Sequence, residues 1–175
     1  LNNLEYDHAD IFPDITAIET QFHHLMRTIP GNGVIISNGA DSNLERVLAR
    51  GCWSQLQRFS FDGEHDWHVK MVKPDGSELQ FSFQKQVVGT LVWGQCGRHN
   101  AMNACTAIAS AVAVGVPAAT AIEALSSFSG VKRRLELIAH EQDIHVYDDF
   151  AHHPTAIRLT LEGLRRKVGN ARILV

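Results

Sequence analysis

The chain has 175 residues and a formal net charge of −3, with 45% hydrophobic and 20% charged residues. These values match globular proteins and exclude a disordered chain, and the charge gives no electrostatic basis for binding nucleic acid or an anionic membrane. No apolar run approaches a membrane span, and no signal peptide opens the sequence. The three cysteines are scattered, which favours neither a disulfide framework nor a zinc site. We therefore expect a cytoplasmic α/β protein with reduced thiols.

The first third of the sequence predicts alternating strands and helices. Residues 1–4 have the composition of the end of a buried strand, and an amphipathic helix follows Pro13. Residues 34–37 predict a short buried strand, after which Ser42 and Glu45 have the spacing of a capping box at the start of a second helix. A parallel sheet with crossover helices requires this alternation.

Residues 56–93 change to a period of two, with apolar and polar side chains alternating. The turn sequence Pro74-Asp-Gly76 between two such runs predicts an antiparallel hairpin, and residues 87–93 supply a third strand. The block contains no catalytic constellation. We interpret it as a structural meander at the edge of a sheet.

Two helices are predicted next. The first spans residues 97–114 and places Asn100 and Asn103 on one face, because they are three residues apart. The second begins at Pro117. Ser129 and Gly130 then interrupt the pattern, so we place a domain boundary there, between residues 1–129 and residues 130–175.

The second part predicts a strand pattern from residue 131, a strand ending at Tyr147, a helix from Pro154 to Gly169 and a buried strand at residues 171–175. The turn before the helix contains Asp148, Asp149, His152 and His153. Ligands bind at such strand ends in open α/β sheets. The alternative is that the aspartates cap the helix and the histidines are solvated.

The sequence Tyr147-Asp-Asp-Phe-Ala-His-His-Pro154 resembles the DD-(Y/F)-A-HHP motif of the Mur ligase family, ATP-dependent enzymes that build the muropeptide on UDP-N-acetylmuramate. The HHP form is typical of the branch that acts directly on UDP-N-acetylmuramate. Further motifs resembling the family follow in the same order: E-x-D-H-x-D at residues 5–10, G-x-HN-x-x-N at residues 97–103 and R-x-E at residues 134–136. The resemblance covers essentially the whole chain.

The resemblance implies the second half of a central ATP-binding domain (a mixed sheet with helices and an antiparallel meander). This half is joined to the first part of a Rossmann-like C-terminal domain. The chain starts on Leu1 without a methionine and contains no G-x-x-x-x-G-K-[ST] phosphate loop. We therefore expect an excised fragment that is inactive by itself.

The resemblance also implies a nucleotide site. Asn103 would present its amide to the adenine edge, and Asn100 would shape the same wall. Arg134 would reach the phosphates as a catalytic and nucleotide-binding residue, and Asp149 would contact the ribose hydroxyls. On sequence alone, the Asp149→Ala substitution is expected to weaken ATP binding more than folding. The alternative for the asparagines is that they satisfy backbone groups at the helix start.

His8 occupies the position of the family's magnesium histidine, which implies a catalytic role and a metal-ligand role. Magnesium prefers oxygen ligands and keeps several waters, so one histidine can be only a minor ligand. The alternative is a surface histidine beside carboxylates. His152 and His153 match the family's substrate-facing turn, without an assignment of their individual contacts.

The implied reaction joins the recycled murein tripeptide to UDP-N-acetylmuramate through an acyl phosphate, using ATP and Mg²⁺. The stretches at residues 1–12 and 22–25 favour this reaction over the addition of L-alanine by the same branch. Two alternatives stay open: the L-alanine ligase, and a non-catalytic nucleotide-binding module. No nucleic-acid or membrane partner is expected.

Overall fold

The structure, a computed structural model, describes residues 1–61 and 64–175. Among these residues, no helix is both long and apolar enough to cross a bilayer. The elements are α1 (Ile15–Arg27), β1 (Val34–Asn38), α2 (Ser42–Ala49), β2 (Gln55–Ser60), β3 (Trp67–Met71), β4 (Glu78–Phe83), β5 (Gln86–Val92), α3 (Arg98–Ala113), α4 (Ala118–Ser126), β6 (Glu136–Glu141), β7 (Ile144–Asp148) and α5 (Pro154–Val168).

Strands β1 to β5 form one mixed sheet in chain order. β1, β2 and β3 run parallel, whereas β3, β4 and β5 run antiparallel. The predicted hairpin is confirmed: the Gly76 amide donates to the Lys73 carbonyl at 3.0 Å, and Gly76 has a φ of 85°. Glycine adopts this left-handed conformation without the steric cost that a Cβ would add.

Residues 1–4, which were predicted to be the end of a strand, lie beside β1. They form backbone hydrogen bonds to β1 but do not make up a strand of the sheet. The Leu1 amino group donates to the Ile36 carbonyl at 2.7 Å, and the Leu1 carbonyl accepts the Asn38 amide at 2.9 Å. These two bonds have the pattern of a parallel bridge. Leu4 is 2% exposed, so this stretch enters the core beside the sheet.

The sheet lies between two helical layers because its consecutive side chains point to opposite faces. Ile35 and Ile36 of β1 belong to different apolar clusters. One cluster lies against α1 and α2 and contains Leu4, Ile18, Met26, Ile35, Leu44, Val47 and Leu48. The larger cluster lies against α3 and α4 and includes Ile36, Phe59, Trp67, Phe81, Ala104, Ile108 and Ile122.

β6 and β7 form a separate antiparallel sheet, and α5 follows them. α5 contacts the start of α3 where two glycines meet: a Cβ on Gly163 would lie 3.0 Å from the Gly97 Cα. Because neither glycine has a side chain, the backbones of the two helices approach closely at this contact. The second part of the chain is thereby held beside the N-terminal turn of α3.

The capping-box prediction for α2 is wrong by one residue. Asp41 is the N-cap, and its Oδ1 accepts the amides of Asn43 and Leu44 at 2.9 and 3.0 Å. Glu45 forms an ion pair with Arg58 at 2.8 Å instead of reaching back to the cap. Aspartate caps as well as serine does, so adjacent candidates are not distinguished by type alone.

The strand predicted from residue 131 begins later, at Glu136. Arg133 and Leu135 have φ values of 58° and 51°, which a strand cannot accommodate. The strand predicted at residues 171–175 does not form: Leu174 is 96% exposed, and no strand in the described part of the chain pairs with this stretch. A strand requires a hydrogen-bonding neighbour that its own sequence does not reveal.

Candidate functional site

The turn from β7 into α5 carries two carboxylates and two imidazoles. The N-cap position of α5 is His153, whose side chain makes no capping bond. Asp149 instead accepts the amides of Ala151 and Leu135, at 2.8 and 2.7 Å. The alternative that the aspartates cap the helix is therefore wrong. The Asp149 carboxylate ties the turn to the segment before β6.

Arg134 lies in that segment, between two non-glycine residues with positive φ, Arg133 and Leu135. Such conformations cost free energy and persist where surrounding bonds enforce them. Here the Phe150 amide donates to the Arg133 carbonyl at 2.8 Å, and Arg133 pairs with Asp148 at 3.3 Å. The guanidinium carbons of Arg133 and Arg134 lie 5.0 and 5.9 Å from the Phe150 ring centroid. The turn therefore fixes the backbone that presents Arg134.

Asn100 and Asn103 lie at the start of α3, as predicted, and the side chains of both have protein partners. The Asn100 amide nitrogen donates to the Cys96 carbonyl at 2.8 Å. The Asn103 carbonyl oxygen accepts from the Asn2 side chain at 2.7 Å, which links α3 to the N-terminal stretch. Asn100 is thereby bonded to the segment just before α3, and Asn103 to the N-terminal stretch.

A cavity of about 470 Å³ lies between the start of α3 and the segment that follows α4. Asn100 and Arg134 both line it, whereas Asn103 and Asp149 do not. The charged lining residues are Lys132, Arg134, Glu136 and Lys167. Three cations against one carboxylate favour an anionic occupant.

His99, which sequence reasoning missed, lies near Arg134 and Asp149, although it does not line the cavity. Its Nδ1 atom is buried and has no hydrogen-bond partner among the described residues. Burial lowers the pKa of His99 below its ordinary value of 6.5; the charge of Asp149 opposes this shift and that of Arg134 adds to it. The position of His99 within the sequence Gly97-Arg-His-Asn100, beside a predicted nucleotide-binding residue, was the signal that could have identified it. The structure places His99 near Arg134 and Asp149, which are predicted to contact the phosphates and the ribose.

The loop that carries His8 lies beside the turn that carries His152 and His153. His8 has a φ of 56°, and its side chain is 65% exposed, 3.9 Å from the Asp7 carboxylate. The pKa of Asp7 is lowered chiefly by the His8 backbone amide, and also by the charges of His8, His153 and His152. The structure therefore places the predicted metal histidine and the predicted substrate histidines in one region.

No group of three or more His, Cys, Asp or Glu residues is arranged to hold a metal ion in the part of the chain that the structure describes. His8 and Asp7 offer one imidazole and one carboxylate at an exposed position. A magnesium ion bound mainly by water and phosphate oxygens needs few protein ligands. The residues fit the role of a partial ligand set and do not form a complete site.

Residues 1–111 match the Mur ligase middle domain, and residues 133–175 match the Mur ligase glutamate ligase domain. The chain belongs to the Mur ligase family. The resemblance drawn from the sequence motifs is therefore confirmed, as is the α/β fold with a mixed sheet and a second, smaller sheet.

Several Mur ligases are similar over nearly the whole chain. The UDP-N-acetylmuramate–L-alanyl-γ-D-glutamyl-meso-2,6-diaminoheptandioate ligase of Escherichia coli K12 is 49% identical over 99% of this chain and 38% of its own length. The crystal structure of a murein peptide ligase from Psychrobacter arcticus is 46% identical, with a TM-score of 0.72, and covers 98% of this chain and 35% of that chain. The UDP-N-acetylmuramate–L-alanine ligase of Desulfitobacterium hafniense is 33% identical over 99% of this chain and 38% of its own length.

This Mur ligase chain thus spans well under half the length of the relatives it matches. The family assignment applies to both parts of the chain, because the two matched domains lie on either side of residues 112–132. The roles of individual residues at the site stay predictions.

Proposed function

We propose that a full-length protein containing this chain is an ATP-dependent ligase that joins L-alanyl-γ-D-glutamyl-meso-diaminopimelate to UDP-N-acetylmuramate. The observation that carries the proposal is the contrast in identity over the same span. It is 49% with the E. coli tripeptide ligase and 33% with an L-alanine ligase. The HHP turn is consistent with UDP-N-acetylmuramate as the acceptor. The biological setting would be recycling of cell-wall peptides.

The proposed chemistry is amide-bond formation through an acyl phosphate. The lactyl carboxylate accepts the γ-phosphoryl group of ATP, and the amine of the tripeptide then displaces phosphate. Arg134, fixed by the turn, would stabilise the charge of the transferring phosphoryl group. Magnesium, when bound, would neutralise phosphate charge, with His8 as one of its ligands.

The nucleotide would lie against both parts of the chain. Asn103 would contact the adenine edge and Asn100 would shape the adjoining wall, while Asp149 would bind the ribose hydroxyls. The Asp149 oxygens are each oriented by one backbone amide, and each retains a further lone pair for a hydroxyl donor. Burial lowers the pKa of His99, but the imidazole lies close enough to Asp149 for the charge of this carboxylate to oppose that shift, and its buried Nδ1 has no hydrogen-bond partner among the described residues.

The proposed division is residues 1–129 as part of the ATP domain and residues 130–175 as the start of the peptide domain. The ends of the two family matches, at residues 111 and 133, support a boundary in this interval. Gly130 lies in it with a φ of 99°, a conformation suited to glycine.

The chain by itself is proposed to be inactive, because its 175 residues contain no glycine-rich phosphate loop. The test is an assay of the purified full-length protein with UDP-N-acetylmuramate, ATP and Mg²⁺, offering the tripeptide and L-alanine in parallel. We expect phosphate release and product with the tripeptide, and none with the 175-residue chain alone. Turnover of L-alanine alone would support the alternative ligase. ATP binding without turnover of either substrate would indicate a nucleotide-binding module.

A further inference from the structure

The first turn of α5 docks on the dipeptide Glu5–Tyr6, which lies far from it in the sequence. The Thr155 hydroxyl donates to Glu5 Oε2 at 2.8 Å, and His153 Nδ1 lies 3.7 Å from the same oxygen. His153 Nε2 lies 3.4 Å from the Tyr6 carbonyl. The turn that is predicted to face the substrate, together with the first turn of α5, therefore contacts both residues of the dipeptide.

The same dipeptide begins the loop that carries His8. The Tyr6 hydroxyl donates to the Phe12 carbonyl at 2.8 Å, which closes the base of the loop. Inside the loop, the amides of Ile11 and Phe12 both donate to the His8 carbonyl at 2.9 Å. The His8 amide donates to Asp7 Oδ1 at 2.8 Å. This network holds His8 in its left-handed conformation with an exposed side chain.

The residue before the dipeptide is anchored independently. The Leu4 amide donates to Asp41 Oδ2 at 2.9 Å, and the Leu4 carbonyl accepts from the Asn43 side chain. Both partners lie at the start of α2, on the same side of the domain boundary. Leu4 is therefore a fixed point. From Glu5 onwards, the stretch is held by the hydrogen bonds within the loop and by the contacts of Glu5 and Tyr6 with the turn from the other part of the chain.

We infer that Glu5 and Tyr6 couple docking of the first turn of α5 to the order of the loop that presents His8. Glu5, Tyr6 and Thr155 are positioning residues, because they act on His8 through backbone and loop geometry. When the second part of the chain moves away, the loop loses the contacts of Thr155 and His153 and becomes less ordered. When it docks, His8 is presented. The consequence for metal binding rests on the proposed function, whereas the coupling itself does not.

The coupling can be measured in the chain as it stands by amide hydrogen exchange at Ile11 and Phe12. Tyr6→Phe removes the loop-closing hydroxyl and should speed exchange at both amides by about 3- to 10-fold, the effect of one lost hydrogen bond. Thr155→Val keeps the side-chain shape and should also speed exchange there, from across the boundary. The matched control is Thr160→Val, further along the same helix, which should leave both amides unchanged.

An unchanged exchange rate in Thr155→Val would overturn the coupling even if Tyr6→Phe accelerates exchange, because the loop would then be ordered locally. Glu5→Gln provides a second test of the same contact. It removes the charge facing His153 and should speed hydrogen exchange at the amides of Ile11 and Phe12. Equal acceleration by Thr160→Val would overturn the inference as well, since it would indicate a general loss of stability.

The second arm uses the full-length enzyme and measures the Mg²⁺ concentration that gives half the maximal rate. Tyr6→Phe should raise this concentration by about 3- to 10-fold and leave the KM for UDP-N-acetylmuramate unchanged. A merely structural role would not separate the two quantities. An unshifted Mg²⁺ requirement would overturn the link to His8. Absence of ligase activity in the wild-type enzyme would refute the proposed function and leave the exchange arm to decide the coupling.

Discussion

At the scale of single residues, the carboxylate of Asp149 has a structural task as well as its proposed contact with ribose. It accepts the amides of Leu135 and Ala151, so Asp149→Ala should lower the free energy of unfolding by about 1–3 kcal/mol. The control is Asp148→Ala, which loses a partly exposed ion pair with Arg133 and should cost about 1 kcal/mol or less. Urea unfolding of the two variants measures the difference. Equal small losses would contradict this account.

The expected structural cost of Asp149→Ala is larger than the position of Asp149 on a turn indicates, because its carboxylate accepts two backbone amides. The expectation that Asp149→Ala impairs ATP binding more than folding stays a prediction for the full-length enzyme. Its kinetic test now requires a stability measurement on the same variant, because part of any rise in the KM for ATP can come from a displaced Arg134.

We expect His99 to make the stability of the chain depend on pH. Because burial lowers its pKa below 6.5, the unfolded chain binds the proton more readily than the folded chain does. The contribution of His99 to stability is therefore fully present above pH 6.5 and is lost as the pH falls towards its lower folded-state pKa. Denaturant unfolding between pH 7.5 and 5.5 should show a smaller loss for His99→Gln than for the wild type. Parallel curves would contradict the assignment.

At the scale of elements, the start of α2 anchors both the helix and the N-terminal stretch. Asp41 caps α2 through Oδ1 and holds the Leu4 amide through Oδ2. Asp41→Ala should therefore cost about 2–3 kcal/mol, and Ser42→Ala, at an exposed position one residue on, less than about 0.5 kcal/mol. Thermal or urea unfolding measures both. A larger cost for Ser42→Ala would restore the capping box indicated by the sequence.

Elements whose signals are local were predictable from the sequence. Alternation in β3 and β4 and the bounding residues Pro154 and Gly169 of α5 act within a few residues, and the structure confirms them. The candidate site was less predictable, because the bond from Leu135 to Asp149 and the buried Nδ1 of His99 depend on how distant segments pack. The prediction of a strand at residues 171–175 was wrong for the same reason, since a strand requires a hydrogen-bonding neighbour elsewhere in the fold.

At the scale of the whole molecule, the two parts of the chain have unequal cores. Both apolar clusters lie within the first part, whereas Leu164 is the single buried apolar side chain that the structure describes beyond residue 129. Leu137, Ile138 and Ile144 of the small sheet are each at least half exposed. Since buried apolar area provides most of the stability, residues 130–175 should open at a lower free energy than residues 1–129.

This asymmetry also tests the proposed domain boundary. Leu164→Ala removes the buried side chain of the second part and should speed amide exchange in β6, β7 and α5 while leaving the large sheet unchanged. Ile108→Ala, at a fully buried position in α3, should cost about 2–5 kcal/mol and speed exchange throughout the first part. Exchange measured at low denaturant concentration resolves the two units. If each substitution accelerated exchange equally in both parts, the chain would unfold as one cooperative unit, and a boundary near residue 130 would have no energetic meaning.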